Sequence, residues 1–205
     1  MMNRMSKKIL LSTFILILSS QLQAQFYFGA RVGNNFARLS NNEPENIFEL
    51  SQFPIKTFHV GGIVQYEFSG FSDKFRLESG LLLSCKGGNS EYSLNQKITL
   101  NYLELPVNAI FSFDMGANKF QIIAGPYLGI LVDEKPKIGY SQIGISAKTL
   151  DYGINMGVGM EMDAIITRIQ YGYGLANIYK GGFNSDDIKN RVISISIGCF
   201  FGDGY

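Results

Sequence analysis

The residues able to do chemistry are few, and most sit alone. His59 is the only histidine of the 205-residue chain, and Cys85 and Cys199 are the only cysteines. Imidazole is the side chain best suited to move protons near neutral pH, and beside Ser and Asp it could serve hydrolysis. No nucleophile motif surrounds this one, so a satisfied structural histidine is the expectation. A metal centre needs His and Cys at ligand spacing, and here they never cluster, so neither metal nor cofactor is expected. Glu104, in YLELP, shares a parity with Tyr102, Pro106 and Asn108. The glycines of GINMGVG alternate, and no helix follows to complete a phosphate loop. What remains is a scattered set of charges: Arg31, Glu67, Arg76, Glu78, Lys86, Glu104, Asp151, Glu161 and Arg168. Each falls on the polar parity of an alternating segment. Acids and bases nearly balance among them, which is what mutual pairing in a confined space requires.

Those segments are strands. Past residue 25 no helical stripe of useful length occurs, and a period of two predicts strands over 26–37, 56–68, 74–86, 97–113, 119–132, 148–162, 164–178 and 190–201. In the sixth, Leu150, Tyr152, Ile154, Met156, Val158, Met160 and Met162 oppose Asp151, Gly153, Asn155, Gly157, Gly159 and Glu161. In the last, Ile193, Ile195, Ile197, Cys199 and Phe201 oppose Val192, Ser194, Ser196, Gly198 and Phe200. Strand four is the irregular one, with Thr99 and Asn101 on its apolar parity and Ile98, Leu100 and Ile110 on the other. Pro106 removes a ladder donor, so a bulge or other irregularity is expected there. Connections after even strands are tight and those after odd strands are long, the habit of outer-membrane barrels with short periplasmic turns.

Alternation alone does not say which face points inward. A soluble lipocalin-type barrel would place the apolar face around a ligand. Three features favour the opposite. The polar parity carries Gly, Ser and Asn with few lysines, which suits a narrow lumen better than a water-facing exterior. Phe26, Phe28, Tyr66, Phe68, Phe75, Phe111, Phe113, Phe120 and Phe201 gather at the tight-turn end of the apolar parity, as an interfacial girdle does. No charge sits mid-strand on that parity, where a cation would cost about 2–4 kcal/mol at the bilayer centre. The expected fold is therefore all-β: an eight-stranded antiparallel up-and-down transmembrane β-barrel with a filled polar lumen. Eight strands leave an interior that side chains can fill, so no open pore is expected. Cys85 and Cys199 fall on the lipid parity of strands that are not neighbours, beyond disulfide reach.

The chain's ends and charge agree. Arg4, Lys7 and Lys8 precede the apolar run Ile9 to Leu18, and SSQLQA leads to Ala24. That is the layout of a cleaved signal peptide over 1–24, and the run is too short to span a bilayer as a helix. Residues 25–205 then form the barrel domain. Removing the three leader cations from 18 Lys and Arg leaves 15 against 17 Asp and Glu, near −2. That is no footprint for nucleic acid. The first long connection holds IFELSQFPI, with Ile47, Phe48, Leu50, Phe53, Pro54 and Ile55. Such content could fold over the barrel mouth or meet a partner.

NYLELPVNAIF (101–111) resembles the YLE-Pro strand of the PorT-like outer-membrane β-barrel proteins of Bacteroidota. AGPYLGIL, DYGINMGVGMEM and YGYGLANI follow in that family's order, and FGARVGNNFARLS resembles its first strand. The resemblance covers nearly all of the chain after the leader. It implies an eight-stranded barrel in the outer membrane, in contact with its lipids, and little about activity. The family's founding member is associated with type IX protein secretion. The leading expectation is a non-enzymatic membrane protein with a structural or interaction role through its outer loops, where a protein partner or the secretion machinery could bind. An accessory part in type IX secretion, an outer-membrane lipid-modifying enzyme and a soluble ligand-binding barrel are the alternatives.

Overall fold

In the computed structural model the described residues are 25–40, 54–68, 74–89, 97–137, 147–178 and 188–201. The leader expected over 1–24 and most of the apolar first connection lie outside them. Eight strands run in chain order: β1 (Gln25–Ser40), β2 (Ile55–Glu67), β3 (Phe75–Asn89), β4 (Lys97–Met115), β5 (Asn118–Lys137), β6 (Leu150–Met162), β7 (Ile165–Gly174) and β8 (Lys189–Phe201). Each pairs antiparallel with its neighbours, and β1 pairs with β8 from Phe28↔Phe201 to Ser40↔Lys189, closing the barrel. Closure leaves no unpaired edge, the condition for a sheet to stand in lipid.

Two-residue turns join β4 to β5 and β6 to β7. The first turn residue has positive φ in each, 68° at Gly116 and 49° at Asp163. Glycine meets that demand without strain, and Asp is among the few side chains that tolerate it.

The alternation resolves as expected. Ile122, Met156, Ile169, Ile195 and Ile197 face outward and are exposed, whereas Arg76, Glu78, Glu161 and Arg168 are buried inside. The aromatic residues at the turn end form a continuous outer stripe. Ring centroids lie 5.1 Å apart for Phe26 and Tyr66, 4.5 Å for Tyr66 and Phe68, and 5.6 Å for Phe68 and Phe75. Phe75 stands opposite Phe111, and the stripe continues through Phe113 to Phe120.

Four expectations need correction. The register shift is not at Pro106: Asn101 pairs with Asp133 and Tyr102 with Leu131, so Val132 is the extra residue of a bulge in β5. At Pro106 some ladder partners are missing but the register holds. Above the bulge the parity of β5 inverts. Asp133 then faces outward, where its carboxylate accepts a 3.2 Å bond from Asn101 Nδ2, and the polar run continues as strand to Lys137. Second, β7 stops at Gly174 rather than 178, because the N–H groups of Leu175 and Ala176 both turn to the Tyr152 carbonyl at 2.8 and 3.2 Å.

Third, Cys85 does not face lipid. The β2–β3 pairing ends at His59↔Ser84. Beyond it β3 packs directly on β1, Gly87 adopts φ 130°, and residues 84–88 are all buried. Asn35 Nδ2 and Thr57 Oγ1 donate to the Cys85 carbonyl at 2.9 and 2.6 Å. Cys199 is exposed on the outer face, and no disulfide joins it to Cys85.

Fourth, the lumen filling is not wholly polar. Ile63, Leu82, Ile166 and Phe200 pack together inside. At the loop end Leu100, Tyr102, Ala147 and Ile178, with Leu39, Ile98, Leu131 and Ile188 against them, make an apolar plug. Ile55 joins Ala37 and Val192 beside it.

Candidate functional site in the barrel lumen

The inward charges stack in three layers along the barrel. At the turn end Arg76, from β3, reaches both ways. Its Nε lies 3.0 Å from Glu67 Oε2 on β2, and its Nη1 lies 2.6 Å from Glu161 Oε2 on β6. Lys119 Nζ is 3.7 Å from Glu161 Oε1, but its side chain is 40% exposed. A pair so open to water contributes little, ~0–1 kcal/mol, so Arg76 is the partner that holds Glu161.

The middle layer is centred on Glu78, which is fully buried. Its Oε1 accepts from Arg168 Nη1 at 2.5 Å and from Arg31 Nη1 at 3.2 Å. Two glutamines tie this layer to the one below. Gln65 donates to Glu78 Oε2 at 2.8 Å and accepts from Arg76 Nη1 at 3.5 Å. Gln121 donates to Glu161 Oε2 at 2.6 Å and accepts from Arg168 Nη2 at 3.3 Å. Each amide thus gives its N–H to a carboxylate of one layer and its oxygen to a guanidinium of the other. Gly159 leaves room for this: a Cβ there would stand 2.8 Å from Arg168 Cγ.

Towards the loop end, Lys86 Nζ lies 2.5 Å from Glu104 Oε2 and 3.1 Å from Asp151 Oδ2. The ammonium sits 3.9 Å from the Tyr127 ring centroid and 5.6 Å from that of Tyr102. Asn190 Nδ2 donates to Asp151 at 3.0 Å, and Tyr127 OH donates at 3.4 Å. The apolar plug begins at Tyr102, so this layer is closed off from the loop side.

The structure therefore brings Glu67, Arg76 and Glu161 together, then Arg31, Glu78 and Arg168, then Lys86, Glu104 and Asp151. Asn108 stands opposite Glu78 in register and is fully buried, but its amide has no hydrogen-bond partner among the described residues. Sequence reasoning passed over Gln65, Gln121, Tyr127 and Asn190. Their inward parity was legible, but the strand that each would reach across the lumen was not.

His59 lies beside these layers. Its Nδ1 is 2.8 Å from Asn35 Oδ1, a contact in which the imidazole N–H donates. Asn35 Nδ2 in turn donates to Ser84 Oγ at 3.3 Å. The three residue types are those of a hydrolytic triad, but the order is wrong for one. The hydroxyl bonds to the amide, whereas a general base must itself reach the nucleophile. All three side chains are buried in the wall of a cavity of about 30 Å³, too small for an acyl group. Among the described residues no group of three His, Cys, Asp or Glu is placed to hold a metal.

Residues 19–180 match a family model described as outer membrane protein beta-barrel domain. Two solved structures are similar at low identity. Neisserial surface protein A is 15% identical, with a TM-score of 0.49 over 87% of this chain and 99% of that one. Ail, the attachment invasion locus protein of Yersinia pestis, is 12% identical, with a TM-score of 0.44 over 86% and 99%. No curated protein matches. The match to the family model spans most of the chain, and the closed barrel with its lipid-facing girdle is the form that such a domain takes. The chain belongs to the outer membrane protein β-barrel domain family.

Proposed function

We propose that this barrel is a non-enzymatic outer-membrane protein that works through its loop end. One observation carries the reading. The lumen is crossed by three bonded charge layers and then by an apolar plug, so the described residues leave a solute no path along the axis. A cleft of about 300 Å³ beside Glu67, Arg76 and Glu161 lies at the turn end, opposite the loops. A barrel with a closed axis has its loop end and outer surface left for function. Its environment is outer-membrane lipid, and its partner is a protein that meets the extracellular loops. The leader over 1–24 directs export and is cleaved before Gln25. Within the wider family, the YLELP strand and the later glycine-rich strands support a PorT-like member from a Bacteroidota outer membrane.

Mild-detergent purification of the native protein from its own outer membrane tests this. A stoichiometric protein partner that is lost when the 41–53 and 179–187 connections are shortened is the expected result. A barrel that always purifies alone sinks the partner reading. An accessory part in type IX secretion rests on the PorT-like resemblance. It predicts loss of secreted cargo in a deletion strain, with export by other routes intact.

The Asn35–His59–Ser84 contacts weigh against the lipid-modifying enzyme, because the hydroxyl meets the amide and not the imidazole. That enzyme requires lipid turnover that His59→Ala abolishes while the barrel still folds. Turnover unchanged in that variant removes the reading.

A further inference from the structure

Between the Glu78 layer and the Lys86 layer the lumen keeps the cavity of about 30 Å³, walled by Arg31, His59, Lys86, Glu104, Gln170 and Ser194 among others. Two N–H groups of that wall, Arg31 Nε and Gln170 Nε2, have no hydrogen-bond partner among the described residues. Both side chains are more than nine-tenths buried, at 4% and 7% exposure. Donors so placed demand an acceptor, because burial has already cost them their bulk hydration.

Charge decides what kind of acceptor. The layer below sets Arg31 and Arg168 against Glu78, an excess of one positive unit. The layer above sets Lys86 against Glu104 and Asp151, an excess of one negative unit. The two excesses face each other across the cavity and cancel. An added anion or cation would leave net charge in a narrow space walled mostly by buried side chains, which is strongly unfavourable. A neutral molecule with both lone pairs and protons suits the wall. Its lone pairs take the Arg31 and Gln170 donors, and its protons turn toward the negative layer. Since one water fills ~10–15 Å³ of such volume, the space suits about two.

We infer that this cavity is a hydration site, holding about two ordered waters that join the Glu78 and Lys86 layers into one hydrogen-bonded column. Direct side-chain bonds already link the two lower layers through Gln65 and Gln121. Water supplies the link above them.

The test is a crystal structure of the purified full-length barrel, grown with sodium bromide in place of chloride. Expected is density within hydrogen-bond distance of Arg31 Nε and Gln170 Nε2, without anomalous bromide signal. A bromide peak in the cavity overturns the inference in favour of an anion, and a cavity without density overturns it as a dry void. Solution NMR in nanodiscs gives a second reading that needs no variant. The Gln170 side-chain amide protons should show cross-relaxation to water with the sign of a long-lived bound molecule, and its absence counts against the site. In Gln170→Leu the density beside position 170 should be lost while that at Arg31 Nε persists. Unchanged density at both places would show that these donors do not hold it.

Discussion

Glu78 holds two buried guanidiniums at once. Its carboxylate is the only anion in contact with Arg31 and Arg168 among the described pairs, so Glu78→Ala would leave two buried guanidiniums facing each other. Removing one partner of a buried pair destabilises by about 3–5 kcal/mol. Urea unfolding of the refolded barrel in lipid vesicles should show a loss of that size, whereas Lys119→Ala, at the solvent-open pair, should change stability by less than about 1 kcal/mol. Equal effects would mean that the middle layer is as hydrated as the mouth. Gly159→Ala probes the same layer sterically. The added methyl meets the Arg168 stem at 2.8 Å, and overpacking of that kind costs about 1–3 kcal/mol in the same assay.

Each strand has to satisfy two solvents at once, lipid on one face and a dry polar lumen on the other. β6 does so most simply, with Met156 and Val158 outward and Asp151 and Glu161 inward. Met156→Arg should cost about 2–4 kcal/mol if Met156 lies near the bilayer midplane. An arginine replacing exposed Lys148, just past the loop end of that strand, should cost almost nothing. Folding titrations of the two variants into vesicles separate them, and equal costs would remove the lipid from that face. β4 and β5 solve a harder case. The bulge at Val132 lets one strand be apolar-outward in the membrane and polar-outward above it. A sequence read at fixed parity cannot show this, since the inversion depends on which residue of the partner strand goes unpaired. The same limit explains Cys85. Its parity pointed to lipid, but the meeting of β1 and β3 past the end of the β2–β3 pairing buries it.

For the whole molecule the decisive feature is the seam between β1 and β8. Ala30 and Cys199 stand directly opposite there on the outer face, and cross-strand partners lie ~4.5–5.5 Å apart at Cα, within disulfide reach. Ala30→Cys should therefore form an intramolecular disulfide on mild oxidation of the folded barrel, abolishing maleimide labelling of Cys199. The wild-type pair Cys85 and Cys199 should not, and persistent labelling of the Ala30→Cys variant would mean an open seam. The barrel should also give no discrete conductance steps in planar bilayers, because the charge layers and the plug close its axis. The sequence by itself determined the strand count, the two unlike faces and the inward parity of the charges, because a period of two and the length of each connection are local properties of the chain. Only the tertiary structure decided which charges meet, where Gln65 and Gln121 bridge them, that apolar side chains share the lumen, and where β5 inverts. Each of those depends on register and on reach across the barrel, which residues far apart in sequence set together.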